Sequence, residues 1–93
     1  MQILKRKKFD NDFSLILRFI ALDSKNRAKT FKSEIVNAVN NLVDMPYKCR
    51  QSIYFEDENI RDLIYKGYTI VYKIDELKDT ITVIGMKKYQ NEL

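Results

Sequence analysis

The apolar residues change period once along the chain, and that change divides it into a helical part and a stranded part. Phe13, Ile16, Leu17 and Ile20 recur at the i, i+3, i+4, i+7 spacing of one helical face. Ala28, Phe31, Ile35, Ala38, Val39 and Leu42 then repeat the same period. Asp10 or Asn11 is placed to cap the first stretch, and Asp23 or Ser24 the second, by accepting from the free amides of a first turn. Pro46 closes the second stretch, because the residue before a proline is pushed out of the helical region. So short a break predicts two antiparallel helices joined by a tight turn.

From Ile60 onward the pattern alternates. Ile60 to Lys66 reads as a strand, with Gly67 at its turn. Tyr68, Ile70, Tyr72 and Ile74 then alternate with Thr69, Val71 and Lys73, a period of two with one heavier apolar face. Asp75 to Asp79 is a polar turn, and the β-branched run Thr80 to Ile84 is a further strand. Gly85 to Leu93 reads as a short tail. At the other end, Gln2 to Phe9 joins Ile3 and Leu4 to Lys5, Arg6, Lys7 and Lys8, the make-up of an edge strand whose lysines discourage pairing with another chain. The same cluster also suits a phosphate-binding arm. Met45 to Glu58 is a loop mixing Tyr47, Lys48, Arg50, Tyr54 and Phe55 with the acidic run Glu56, Asp57, Glu58.

The expected fold is α+β in the order β-α-α-β-β-β. A helical hairpin packs on one face of a small, mostly antiparallel four-stranded sheet, within a single domain spanning the chain. Ile70, Tyr72 and Ile74 face the helices in this arrangement. The opposite face, carrying Thr69, Val71 and Lys73, is left open for a partner.

Composition narrows the chemistry. The chain has no histidine, and Cys49 is its one cysteine, so Cys–His and Ser–His–Asp catalysis and Cys/His zinc sites are excluded. No cofactor is expected. A lone cysteine forms no internal disulfide and suits a reducing cytoplasm. The apolar runs are too short to span a bilayer, and the basic start lacks the apolar stretch of a signal peptide, so a cytoplasmic location without membrane contact is expected. The net charge of +4 favours acidic partners such as nucleic acid or an acidic protein, and it also suits simple solubility.

With these elements in place, the run from Ile60 to Ile74 resembles the central hairpin of RelE/ParE toxins. It carries their Arg-x-Leu pattern in Arg61-Asp62-Leu63, then Gly67-Tyr68, then an apolar stretch containing Tyr72. Element order, length and the proline after the second helix agree over nearly the whole chain. The resemblance implies the toxin of a type II toxin–antitoxin system, silenced by an antitoxin whose flexible segment wraps it. One branch of that family cuts messenger RNA on the ribosome, and the other poisons DNA gyrase.

The nuclease branch, as the resemblance has it, places cations at alternate positions of the strand before Gly-Tyr and just after Gly-Tyr. These positions here are Ile60, Asp62 and Thr69, none of them basic. Cutting the backbone needs a 2′-hydroxyl activated and cations where negative charge builds up, and Asp62 repels phosphate. Arg61 lies one residue out of phase and is expected to pair with a carboxylate at a helix end. The branch favoured is therefore the gyrase inhibitor. Its target-binding residues are placed in the tail at Lys87, Lys88 and Tyr89, and its antitoxin-binding residues at Thr69, Val71 and Lys73. A ribosome-dependent endoribonuclease is the alternative, with Lys48, Arg50, Lys66 and Lys87 as its cations and Glu56 or Glu58 as its base. A non-toxic basic module that binds nucleic acid is a third reading.

Overall fold

Ser24 forms the corner of the helical half. In the computed structural model, which describes residues 1–88, its extended backbone ends helix α1 (Lys7–Asp23). Its hydroxyl accepts from the Arg27 amide at 3.2 Å, starting helix α2 (Lys25–Asn40). One serine thus stops one helix and starts the next, which is why the connection is so short. A 3-10 turn, Asn41–Val43, continues α2 and carries Leu42 into the core.

Helix α1 begins earlier than a cap at Asp10 or Asn11 implies. It starts at Lys7, Arg6 stands at the cap without a side-chain bond, and Phe9 lies buried in the helix rather than in a strand. Strand β1 is only Gln2–Lys5. The expected lysine cluster is therefore divided between a strand end and a first helical turn.

The remaining strands are β2 (Arg50–Gln51), β3 (Ile60–Tyr65), β4 (Tyr68–Asp75) and β5 (Thr80–Lys88). They form one five-stranded sheet in the order β1-β5-β4-β3-β2. Among the described residues only the β1–β5 pair is parallel. The fifth strand is β2, a two-residue pairing of Arg50 with Asp62 and Gln51 with Arg61 inside the segment expected to be loop. No alternating run is long enough to announce it.

The β3–β4 turn takes positive φ at both central residues, 46° at Lys66 and 85° at Gly67. That geometry matches the twist of the flanking strands and favours glycine at its second position. On β5 a bulge at Ile84 shifts the register, so that Val71 faces Gly85 while Tyr72 faces Val83. The strand then runs on to Lys88, so Lys87 and Lys88 belong to the sheet and not to a loose tail. Strand β1 covers β5 only as far as Val83. Beyond it, Asp12 of α1 takes over the edge and accepts from the Met86 amide at 3.1 Å.

Ile70, Tyr72 and Ile74 do face the helices. Ile70 packs with Phe9, Phe31, Ile35, Val39, Val83 and Met86, while Tyr72 and Ile74 pack with Leu42 and Ile81. The opposite face is not open as expected. Thr69 and Val71 are buried, as are Ile60, Asp62 and Ser52, and of the expected docking line only Lys73 is exposed. The chain between Met45 and Asn59 forms a strap that wraps from the helix side, where Pro46 meets Tyr72, to this second face, where Ile53 meets Asp62.

Candidate functional site

The strap is held by charged groups on both faces of β3. Arg61, on the helix side, donates from Nε to the Glu58 carbonyl at 2.8 Å and from a terminal nitrogen to the Cys49 carbonyl at 3.1 Å. Its guanidinium also lies 5.0 Å from the centre of the Tyr47 ring. Its role is structural, as expected, but these partners are carbonyls of the strap and not a carboxylate at a helix end. Tyr72 adds a bond of 2.6 Å from its hydroxyl to the Pro46 carbonyl. Burial first, and then the neighbouring Cys49, push the Tyr72 phenol far up, so it stays a neutral donor.

Asp62 points to the second face, and its side chain is fully buried there. Its Oδ2 accepts from the Ile53 amide at 3.2 Å and from Arg50 at 3.3 Å. Its Oδ1 and the Thr69 hydroxyl, both deeply buried, have no hydrogen-bond partner among the described residues. The charged group at the centre of the second face is therefore a carboxylate, paired with Arg50. A carboxylate thus stands where the nuclease branch is expected to place a cation.

Of the four cations of the nuclease reading, Lys66 is turned away from the second face. Lys66 projects from the β3–β4 turn towards α2, where both oxygens of Glu34 accept from it at 3.0 and 2.9 Å. Tyr65 donates to the same carboxylate at 2.8 Å. The Lys66 bond first, and then the Tyr65 bond, hold the Glu34 carboxyl below its usual range, and Glu34 in turn raises the Lys66 ammonium. Arg50 is bonded to Asp62, Lys48 is an exposed residue of the strap, and Lys87 lies on the second face with its ammonium 4.1 Å from the centre of the Tyr54 ring. Glu56 and Glu58 are exposed strap residues. Of the expected target-binding residues, Lys87 and Lys88 are exposed at the end of β5, and Tyr89 lies outside the described residues.

Lys8 and Asp12 complete the edge of β5. Lys8 donates to Asp12 at 2.7 Å. Burial pulls the Asp12 carboxyl upward, but the Lys8 bond, the Met86 amide and the Lys8 charge together outweigh it, so the net shift is downward. Gly85 leaves space for this pair, since a Cβ there would stand 3.2 Å from both Asp12 Oδ2 and Lys8 Nζ. Among the described residues no group of His, Cys, Asp and Glu is arranged to hold a metal ion, and no helix is long and apolar enough to cross a membrane.

Sequence reasoning missed a groove on the other side of the molecule. Leu15, Phe19 and Leu22 of α1 are 61%, 69% and 86% exposed at i, i+4, i+7 spacing. Beside them three adjoining clefts share Tyr68. One, of about 420 Å³, runs to Arg27, Glu34 and Lys66, and another runs to Met86, Lys87 and Lys88. The signal was present in the sequence. Helix α1 carries apolar residues around more of its circumference than one buried stripe requires, so some must face water or a partner.

The sequence profile of the family described as "ParE toxin of type II toxin-antitoxin system, parDE" matches residues 3–87. No curated protein matches the chain. Among solved structures, a chain of the chromosomal ParDE system of P. aeruginosa is similar with a TM-score of 0.76 at 15% identity, covering 97% of both chains. The isolated E. coli RelE toxin is similar with a TM-score of 0.62 at 12% identity, covering 98% of this chain and 86% of the other. The intact E. coli RelBE toxin–antitoxin complex gives a TM-score of 0.57 at 14% identity, covering 97% of this chain and 98% of the other. At such identities the structures speak for the fold alone. The family profile spans both helices and every strand, so the chain belongs to the ParE toxin family and is the toxin component of a type II toxin–antitoxin system.

Proposed function

We propose that this toxin acts by binding and inhibiting DNA gyrase, that it cuts no message, and that a cognate antitoxin silences it. The observation that carries the reading is the chemistry of the second sheet face. Ile60, Asp62 and Thr69 are all buried, and the charge among them is a carboxylate. Cleavage of RNA needs stabilised negative charge and a proton acceptor in reach of a 2′-hydroxyl. Lys66, bound to Glu34 on the helix side, takes no part on that face. Lys87 and Lys88 remain exposed at the end of β5 as target contacts, continuing towards Tyr89 in sequence.

The antitoxin surface supported best is the groove around Tyr68, in place of the line Thr69, Val71, Lys73. An amphipathic segment of the antitoxin would cover Leu15, Phe19 and Leu22 and set acidic residues against Arg27, Lys87 and Lys88. Exposed apolar side chains of this size are what such a segment buries.

The test runs two assays on one preparation: gyrase supercoiling, and message cleavage in a purified translation system. Inhibition of supercoiling with intact message is expected, and the antitoxin should relieve it. Cleavage without inhibition would overturn the reading and return Lys48, Arg50 and Lys87 to consideration as cations. Growth arrest on induced expression separates either toxin from a non-toxic module that binds nucleic acid.

A further inference from the structure

The strap buries its backbone bonds and exposes its largest side chains. Ile53, Tyr54 and Phe55 at its tip are 63%, 38% and 44% exposed. They are not a free-standing loop. Ile53 is tied by its amide to Asp62, and the Tyr54 amide donates to Ser52 Oγ at 3.2 Å, so the tip is held in place before any partner arrives. The Tyr54 and Phe55 rings stand over a cavity of about 210 Å³ floored by Val71 and Ile84, with Lys8 and Lys87 at its rim. The Lys87 ammonium sits over the Tyr54 ring, so strap and β5 form one continuous patch.

We propose that this patch, the tip Ile53, Tyr54, Phe55 with Lys8 and Lys87, is the surface that grips the toxin's target. Its partner is a protein segment offering an apolar side chain flanked by carboxylates. The proposal rests on the reading above that the toxin works by binding a protein. The apolar side chain enters the cavity beside the rings, and the carboxylates meet Lys87 and Lys8, whose ammonium has donors beyond its bond to Asp12. Pre-ordered aromatic residues around a small cavity are the usual anchors of protein interfaces. Charge complementarity selects an acidic protein over nucleic acid. The acidic run Glu56, Asp57, Glu58 follows the tip directly and opposes any anion, most of all a phosphate chain with a charge at every nucleotide, and far less an isolated carboxylate drawn to Lys87. The patch is built from the strap and the second face, whereas the groove around Tyr68 is built largely from α1 and α2. The two surfaces meet at Met86 and Lys87, which line both clefts, and are otherwise distinct, so one chain can offer the tip to its target and the α1 face to its antitoxin.

The experiment uses the full chain with Ile53→Ser and Phe55→Ser combined, both at exposed positions, so that circular dichroism and urea midpoints should match the parent. Three quantities are read: growth arrest on induction, inhibition of supercoiling, and antitoxin affinity by calorimetry. Arrest should be lost, inhibition should weaken about thirtyfold, as for a lost interface anchor, and antitoxin affinity should stay within about twofold. Lys87→Glu alone should weaken inhibition in the same direction. Arrest as strong as the parent's overturns the proposal, and so does a matching loss of antitoxin affinity. A thymine oligonucleotide serves as the probe for nucleic acid. If the parent binds it tightly and the variant does not, the partner class is wrong. Should the parent fail to inhibit gyrase yet arrest growth, the gyrase reading fails. The patch is then judged by arrest and antitoxin affinity alone.

Discussion

Ile70→Ala tests the fold at the point where the helical hairpin meets the sheet. Ile70 has no exposed surface, lies on a strand paired on both sides, and packs among Phe9, Phe31, Ile35 and Met86. Removing its outer carbons forfeits the transfer energy of buried apolar groups and leaves a cavity. The strands on either side fix the backbone, so the space cannot readily collapse. The expected loss lies towards the upper part of the usual range, about 3–5 kcal/mol. A chain of 93 residues has a total stability of about 5–14 kcal/mol, so this is a large fraction of it. Urea denaturation should show a lower midpoint with an unchanged slope, and the melting temperature should fall by about 12–40 °C. Ile64→Ala is the control. Ile64 lies on the neighbouring strand and is 39% exposed, so its loss should be well below that of Ile70. A loss below about 1 kcal/mol for Ile70→Ala at constant slope would refute the packing described, since no residue filling that space could be so cheap to truncate.

Two further outcomes concern the polar ties. Tyr72→Phe removes the bond to the Pro46 carbonyl and leaves that acceptor unpaired where the strap begins, which should cost about 1–3 kcal/mol in urea denaturation; an unchanged midpoint would mean the bond contributes nothing. Glu34 is held below its ordinary pKa of 4.5, so its contribution is present in full above that pH and is lost as pH falls through the folded value. Glu34→Gln should therefore lower the melting temperature at neutral pH, and the gap to the parent should close in acid. A gap that stays constant with pH would show that the Lys66–Glu34 charge pair is not its source.

Periodicity carried most of the architecture. The stripes Phe13–Ile20 and Ala28–Val39 are α-helical, with Leu42 in the 3-10 turn that follows, and Ile70, Tyr72 and Ile74 do face them, because a period of 3.6 or 2 assigns each residue to a face before any packing occurs. The family was also legible, since Gly67 and Tyr68 mark a turn whose backbone geometry restricts which residues fit. The candidate sites were less legible. Asp62 was identified as hostile to phosphate, but its burial, its bond to Ile53 and the strap above it depend on a segment with no period to read. Strand β2 is two residues long, and its pairing is set by Arg61 and Asp62 across a gap in the chain. The groove at Tyr68 and the patch at Tyr54 are each assembled from elements remote in sequence.

The sequence by itself determined the two helical stripes, the strands from Ile60 to Ile84 and the side of β4 that meets the helices, because these follow from local spacing and local backbone preference. Only the tertiary structure decided what covers the second sheet face, where each cation finds its counter-charge, and which apolar residues stay in water. Those outcomes depend on non-local contacts, where Arg61 meets Cys49, Lys66 meets Glu34 and Lys87 meets Tyr54 across separations that no pattern along the chain encodes.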